Sequence, residues 1–169
     1  GPGEAFRAGL YANHPELKVH RGETHPVTPE ETRQLLAGQH TALLEFVVTG
    51  EKTYLLVMVN SAQAGGAPIL KSYSLNVKRT KLSELVTRFR QALARRELGF
   101  LDPARQLYDL LLSPAREDLK GKSTVVIVPD GVLWELPFQA LQTAEGRYVI
   151  EEHAISYAPS LTVLRETIR

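Results

Sequence analysis

The chain has 169 residues, of which 43% are hydrophobic and 23% are charged, proportions typical of an ordinary globular protein. Twenty Lys and Arg against nineteen Asp and Glu give a formal charge of +1, which argues against the basic field that drives nonspecific nucleic-acid binding. The sequence contains no cysteine, so disulfides, thiolate metal sites and thiol catalysis by its own residues are excluded. No signal peptide is evident and no apolar run approaches the roughly 20 residues that cross a bilayer, so we expect a cytoplasmic protein that contacts no membrane.

The first 40 residues predict a helical lead-in. A short helix is expected over 4–13, and a second helix begins at Thr28 and Pro29. The Thr28 hydroxyl can accept from free backbone amides, and the fixed φ of Pro29 suits the first helical turn. Leu35 and Leu36 supply the buried side of this second helix, and Gly38 ends it.

Residues 41–75 predict three antiparallel strands. The stretches 41–49 and 53–60 are both rich in Leu, Val, Phe and Tyr, and the residues between them are few enough to form a hairpin turn. A loop of small residues over 61–68 leads to a third strand at 69–75.

The middle of the chain predicts two helices. The first has apolar residues at helical spacing and should end at Gly99. The second begins at Asp102 and Pro103 and stops at Pro114. The apolar positions of the two helices are Leu82, Leu85, Val86, Phe89, Leu93, Leu107, Leu110 and Leu111.

The pattern changes at Ser123. Residues 124–128 form a continuous β-branched run, which favours a strand buried on both faces of a parallel sheet. Further short strands are predicted at 148–150 and 154–157, and Ser160 is predicted to cap a last helix. The fold class is therefore α/β with an α+β front half, in which an antiparallel hairpin region and helices lead into a mostly parallel sheet.

Candidate chemical groups are few. His14, His20 and His25 have spacings that match no pair of metal ligands on one helix face, and we expect no metal site. Ser160 is not on the sharp turn that presents a serine nucleophile. The dipeptide 65–66 (Gly-Gly) lacks the order of elements of a phosphate-binding loop.

Two positions near the β-branched run leave alternatives open. Asp130 follows a buried strand, where ligands bind in open α/β sheets, although a single aspartate in a Pro-Asp-Gly stretch is normally a turn residue. A small-molecule site at this strand end is therefore one hypothesis. His153 could act as a general base, but the chain has no cysteine to pair with it. From the residues alone we predict no catalytic group and no cofactor site.

One stretch is more specific. Residues 125–141, VVIVPDGVLWELPFQAL, resemble the signature of the CHAT domain, a caspase-like protease domain often found after tetratricopeptide repeats. The segments 148–151 and 155–160 are similar to the family's next two blocks. Agreement upstream, at 42–46 and 107–111, is looser but runs in order.

The resemblance implies a structural role for the signature. The turn and the apolar residues after it should build the sheet, and Trp134 should cover a sheet edge. The signature positions are Pro129, Asp130, Gly131, Leu133, Leu136, Pro137, Phe138, Leu141, Tyr157, Pro159 and Ser160. In the family, the catalytic cysteine and a His-Gly histidine lie further towards the C-terminus. This sequence contains neither motif and His153 does not match, so no catalytic residue is carried over.

The resemblance also implies an organisation and a function. Residues 1–40 would be the lead-in, and 41–169 the N-terminal portion of a caspase-fold domain that is truncated before the catalytic motifs. The chain would be a noncatalytic front part of a cysteine endopeptidase domain, inactive alone, that supplies the scaffold for a downstream Cys/His dyad. The alternative is a degenerate caspase-like interaction module without proteolytic activity. Expected partners are the downstream part of the same domain, a tetratricopeptide-repeat region, a protein or peptide substrate of the parent, and a second copy through an exposed sheet edge.

Overall fold

The computed structural model describes residues 36, 40–60 and 68–158. Within them lies a five-stranded sheet of order β3-β2-β1-β4-β5. β1 pairs antiparallel with β2, and β2 antiparallel with β3, whereas β1–β4 and β4–β5 are parallel. The α/β class with an antiparallel front half is confirmed. The strands are β1 Thr41–Val48, β2 Thr53–Val59, β3 Ile69–Leu75, β4 Thr124–Val128 and β5 Ala154–Tyr157.

The front hairpin forms where its sequence predicts it. The turn between β1 and β2 is closed by Thr49, whose backbone N–H and side-chain hydroxyl both donate to the Lys52 carbonyl, at 2.9 and 2.7 Å. All eight residues of β1 are buried, because this strand lies in the middle of the sheet. The predicted third strand coincides with β3.

Helices cover one face of the sheet. They are α1 Arg79–Ala94, α2 Leu101–Leu111, α3 Arg116–Leu119 and α4 Val149–Glu152, with 3-10 segments at Leu98–Phe100, Ser113–Ala115, Gly131–Glu135 and Phe138–Ala140. The apolar side of α1 is buried, as the spacing predicts, and so are Leu107 and Leu111 of α2. They form one core with Leu44 and Phe46 of β1.

The end of α1 was predicted wrongly. The helix stops at Ala94, and Gly99 lies inside a 3-10 segment. Arg96 takes the left-handed conformation with φ 56°, and its N–H donates to the Leu93 carbonyl at 3.1 Å. An arginine therefore occupies the position that glycine usually takes after a helix, which is why the glycine signal pointed too far along the chain.

The strand predicted at 148–150 is also wrong, because the chain forms the short helix α4 there. Glu151 turns back so that its Oε2 accepts from the Tyr148 N–H at 2.6 Å, which satisfies an amide that a helix start leaves free. Tyr148 keeps one isolated antiparallel bridge, to Gln142. The preference of these residues for a strand was therefore overridden by a carboxylate three residues after the N-cap Tyr148.

The other face of the sheet carries a second buried cluster, formed by Leu36, Leu43, Met58, Val128 and Ala158. Leu36 is helical, as predicted, and fully buried. The rest of the predicted N-terminal helices and the helix after Ser160 lie outside the described residues, and the domain boundary at residue 40 stays a prediction. Over the described ranges, every helix is too short or too polar to cross a membrane.

Candidate functional site at the carboxyl ends of the parallel strands

The Pro-Asp-Gly turn ends β4 and at the same time holds β1. The pairing of β1 with β4 stops at Glu45 and Val128, although β1 continues to Val48. Beyond that point the Asp130 side chain replaces the strand as the hydrogen-bond partner of β1, because its Oδ2 accepts from the Val48 N–H at 2.8 Å. Gly131 has φ 55°, a conformation that favours glycine. Asp130 is thus a turn residue with a structural contact that its sequence context did not reveal.

After the turn, the chain folds back onto the core through two 3-10 segments. Leu133, Leu136, Phe138 and Leu141 are each at most 2% exposed. The Phe138 ring lies 5.5 Å from that of Phe46 in β1, within the range of favourable aromatic contacts. These signature side chains are consequently used for packing.

Tyr157 ties the end of β5 to the same segment. Its hydroxyl accepts from the Phe138 backbone N–H at 3.1 Å and donates to Gln139 Oε1 at 2.6 Å. The two rings lie 6.3 Å apart. Partial burial raises the pKa of the Tyr157 hydroxyl, because the phenolate would lose hydration there. Tyr157 therefore remains neutral and serves as a bonded link between strand and turn.

A groove of about 600 Å³ opens beside these residues. Trp134 is 50% exposed, so it is a wall of the groove and does not form the buried cover over a sheet edge that the sequence suggested. A salt bridge of 3.4 Å joins Arg90 Nη1 to Glu135 Oε1 at the rim. The groove is lined by, among others, Arg90, Leu93, Trp134, Glu135, Pro137 and Tyr157.

The chemistry of this groove favours binding over catalysis. The described lining holds no serine, threonine or histidine, and the groups in it that could act as nucleophile or general base are the Glu135 carboxylate and the Tyr157 hydroxyl. Its charged groups are paired with each other, and the Tyr157 hydroxyl already has two partners. Apart from Gln139, whose side-chain oxygen accepts from Tyr157, the lining that remains is aromatic and aliphatic.

A second cavity, of about 560 Å³, lies at the opposite ends of β4 and β5. His153 borders it and precedes β5, as predicted, with a side chain 12% exposed. Its Nδ1 donates to the Lys122 carbonyl at 2.5 Å, and its Nε2 lies 3.9 Å from Glu152 Oε2. His153 is therefore held at the amino end of β5, whereas Tyr157 and the signature turn lie at the carboxyl end.

Several sequence candidates cannot be placed. His14, His20, His25, the glycines at 65–66, Pro159 and Ser160 all lie outside the described residues. Over residues 36, 40–60 and 68–158, no group of three His, Asp or Glu side chains is arranged to hold a metal ion.

Comparison with known protein families finds a match to one family model. Residues 101–169 match the model of the CHAT domain. No curated protein sequence matches the chain. Ten solved chains match; one belongs to a "PilM-PilN type IV pilus biogenesis complex", with 14% identity, a TM-score of 0.32, and coverage of 82% of this chain and 45% of that one. A TM-score this low carries no argument about fold or function. The match to the family model begins at the start of α2 and includes the whole signature, so residues 101–169 of this chain are similar to the CHAT domain.

Proposed function

We propose that the chain is the noncatalytic front part of a caspase-like cysteine endopeptidase domain, and that it supplies the sheet on which a downstream Cys/His dyad is built. The family match over 101–169 supports a caspase-like relative. One observation carries the scaffold role: the signature carboxylate of Asp130 is bonded to the backbone of β1 at 2.8 Å and is thereby committed to holding strands together.

The position of the signature in the sheet also supports a scaffold role for this chain and a catalytic role for residues elsewhere. Ligands and reacting groups in open α/β sheets gather at the carboxyl ends of parallel strands. At the ends of β4 and β5, the described chain places packed apolar side chains and a tyrosine with two hydrogen-bond partners. A thiolate and its base must then come from other residues, and because this chain has no cysteine it is inactive alone.

The test is peptidase activity of a protein extended through the natural downstream coding sequence. We expect cleavage of a mixed peptide library by the extended protein and none by its Cys-to-Ala version, since the thiolate is the nucleophile. The 169-residue chain serves as the negative control. Cleavage by this chain alone, or cleavage that survives the Cys-to-Ala change, would contradict the proposal.

A second function is favoured by the groove beside Trp134. A half-exposed tryptophan in an aromatic and aliphatic lining is typical of a surface that binds another protein. The alternative is therefore a degenerate caspase-like interaction module that docks partners, including a tetratricopeptide-repeat region, without cutting them. An extended protein that has no downstream cysteine, or that cleaves nothing, would favour this alternative.

A further inference from the structure

The cavity of about 560 Å³ at the amino ends of β4 and β5 is separate from the groove at Trp134. Its walls come from α2, α3, the residues that lead into β4, and the residues in and around α4. None of its lining residues belongs to a described strand. The backbone that a further strand beside β5 would use is therefore not the backbone that lines this cavity. Its volume lies within the range of small-molecule sites.

The Tyr108 hydroxyl is the polar group of this cavity that lacks a partner. Tyr108 is 5% exposed, and within the described part of the chain its hydroxyl makes no hydrogen bond. The charges that act on it include Arg116 and Glu152 of the cavity lining, so the hydroxyl faces the cavity. Burial raises its pKa, which keeps it a neutral donor. A buried donor without an acceptor costs free energy that a bound acceptor would recover.

The lining is also rich in positive charge. Both of its carboxylates already have partners. Glu151 Oε2 accepts from the Tyr148 N–H at 2.6 Å, and Glu152 lies 3.6 Å from Arg147 Nε and 3.9 Å from His153 Nε2. The charged Lys, Arg and Glu residues of the lining are Arg116, Lys120, Lys122, Arg147, Glu151 and Glu152.

The cationic side chains keep donors for a ligand. Arg116 contacts Glu145 at 3.4 and 3.5 Å, and Arg147 makes its ion pair through Nε at 3.6 Å. Because a guanidinium has five N–H donors, these long contacts leave donors on both arginines. The pair of Lys120 with Glu117 is exposed on both sides and is therefore weak.

The number of donors decides the chemistry of the ligand. Two guanidinium groups, two ammonium groups and a phenol line one cavity. A phosphate monoester offers three strong acceptor oxygens and close to two negative charges, and arginine pairs with it through two parallel hydrogen bonds. A free phosphate ion would fill a small part of the cavity, so the phosphate should belong to a larger molecule.

We propose that this cavity binds a small phosphorylated organic molecule, whose phosphate contacts Arg116 and Arg147 and accepts a hydrogen bond from the Tyr108 hydroxyl. The site is independent of the proposed peptidase function, because it lies at the ends of β4 and β5 opposite to the signature turn.

The probe is ribose 5-phosphate, titrated into the whole chain in an isothermal calorimeter at low salt, with ribose as the matched control. We expect saturable binding with a Kd below about 1 mM, and no saturable binding of ribose, since it lacks the charged group. Added salt should weaken the binding by screening. The proposal is overturned if ribose 5-phosphate does not saturate the chain, or if ribose binds equally well.

Two variants place the phosphate in the cavity. Tyr108→Phe removes the hydroxyl and keeps the ring, and Arg147→Gln removes one guanidinium; we expect each to weaken binding about five- to tenfold. Their controls are Tyr157→Phe and Arg90→Gln, which change the same groups at the other end of the sheet and should leave the affinity unchanged. Thermal unfolding checks that all four variants fold. An unchanged affinity in either cavity variant, or an equal loss in its control, would reject the site.

Discussion

The two edges of the sheet are built differently. On the β3 edge, Lys71 Nζ lies 2.8 Å from Asp118 Oδ1, and the Tyr73 hydroxyl donates to the other oxygen of the same carboxylate. The charged side chain of Lys71 and the attachment to α3 are devices that discourage further strand pairing. β5 carries no charged residue; it is held at its carboxyl end through Tyr157. The comparison teaches that one edge is closed by charge, whereas the other has no charged side chain and, among the described strands, no further neighbour.

The side chains that stabilise the two edges of the sheet also differ in how deeply they are buried. The Asp118 side chain is 5% exposed, while Lys71 is 52% exposed. The hydrogen bond to Asp118 raises the pKa of both Tyr73 and Lys71, since each group is favoured in its protonated, donating form. The β3 edge thus depends on one nearly buried carboxylate, and the β5 edge depends on aromatic packing.

The largest effect should come from removing the packing behind β5. Phe138→Ala deletes a fully buried ring that contacts Phe46 and Tyr157, so we expect the free energy of unfolding to fall by about 3–5 kcal/mol. Urea denaturation measures it. The matched control is Trp134→Ala, whose ring is half exposed and should cost much less. Equal losses in the two variants would mean that the β5 end does not depend on Phe138.

The β3 edge is broken by Asp118→Ala. The change removes the acceptor of Tyr73 and the counter-charge of Lys71, and we expect a loss of about 1.5–3 kcal/mol. Amide hydrogen exchange should accelerate in β3 and stay unchanged in β5. Glu117→Ala is the control, because its ion pair with Lys120 is exposed on both sides and should contribute under about 1 kcal/mol. Faster exchange in both edges of the Asp118 variant would remove the distinction between them.

A smaller effect is expected at Tyr157. Tyr157→Phe leaves the Phe138 N–H without its acceptor and should cost about 1 kcal/mol. Because the folded chain raises the pKa of this hydroxyl above its ordinary value of 10.0, the unfolded chain releases the proton first. The contribution of Tyr157 to the free energy of unfolding is therefore fully present below pH 10 and is lost as the pH rises above it. Thermal unfolding from pH 8 to 11 should show a shallower fall in the variant than in the natural chain; identical slopes would contradict the assignment.

The smallest effect concerns the groove rim. Arg90→Ala breaks an ion pair whose side chains are 53% and 56% exposed, so stability should change by less than about 0.5 kcal/mol. Urea denaturation measures the change, and a loss above about 1 kcal/mol would contradict the assignment of this pair as an exposed surface ion pair.

Elements with a strong local signal could be predicted from sequence. The first two front strands follow from stretches rich in Leu, Val, Phe and Tyr and a short turn between them, and α1 and α2 follow from helical spacing and proline. The prediction of a strand at 148–150 was wrong because its β-forming residues were given more weight than Glu151, whose carboxylate caps the helix that starts at Val149. The bond from Asp130 to Val48 could not be foreseen, since nothing in a local pattern reveals a partner 82 residues away. The groove likewise depends on α1, the 3-10 segments and β5 meeting in space.

The double pairing of β1 has a consequence for the order of folding. Its partner β2 is reached through a tight turn, whereas β4 must arrive from a distance, and loop closure makes distant pairings slow. The β1–β2 hairpin can therefore form early and act as the template on which β4 later docks. In kinetic terms, changes in the turn at Gly50 should slow folding, whereas loss of the Asp130 contact to Val48 should mainly speed unfolding.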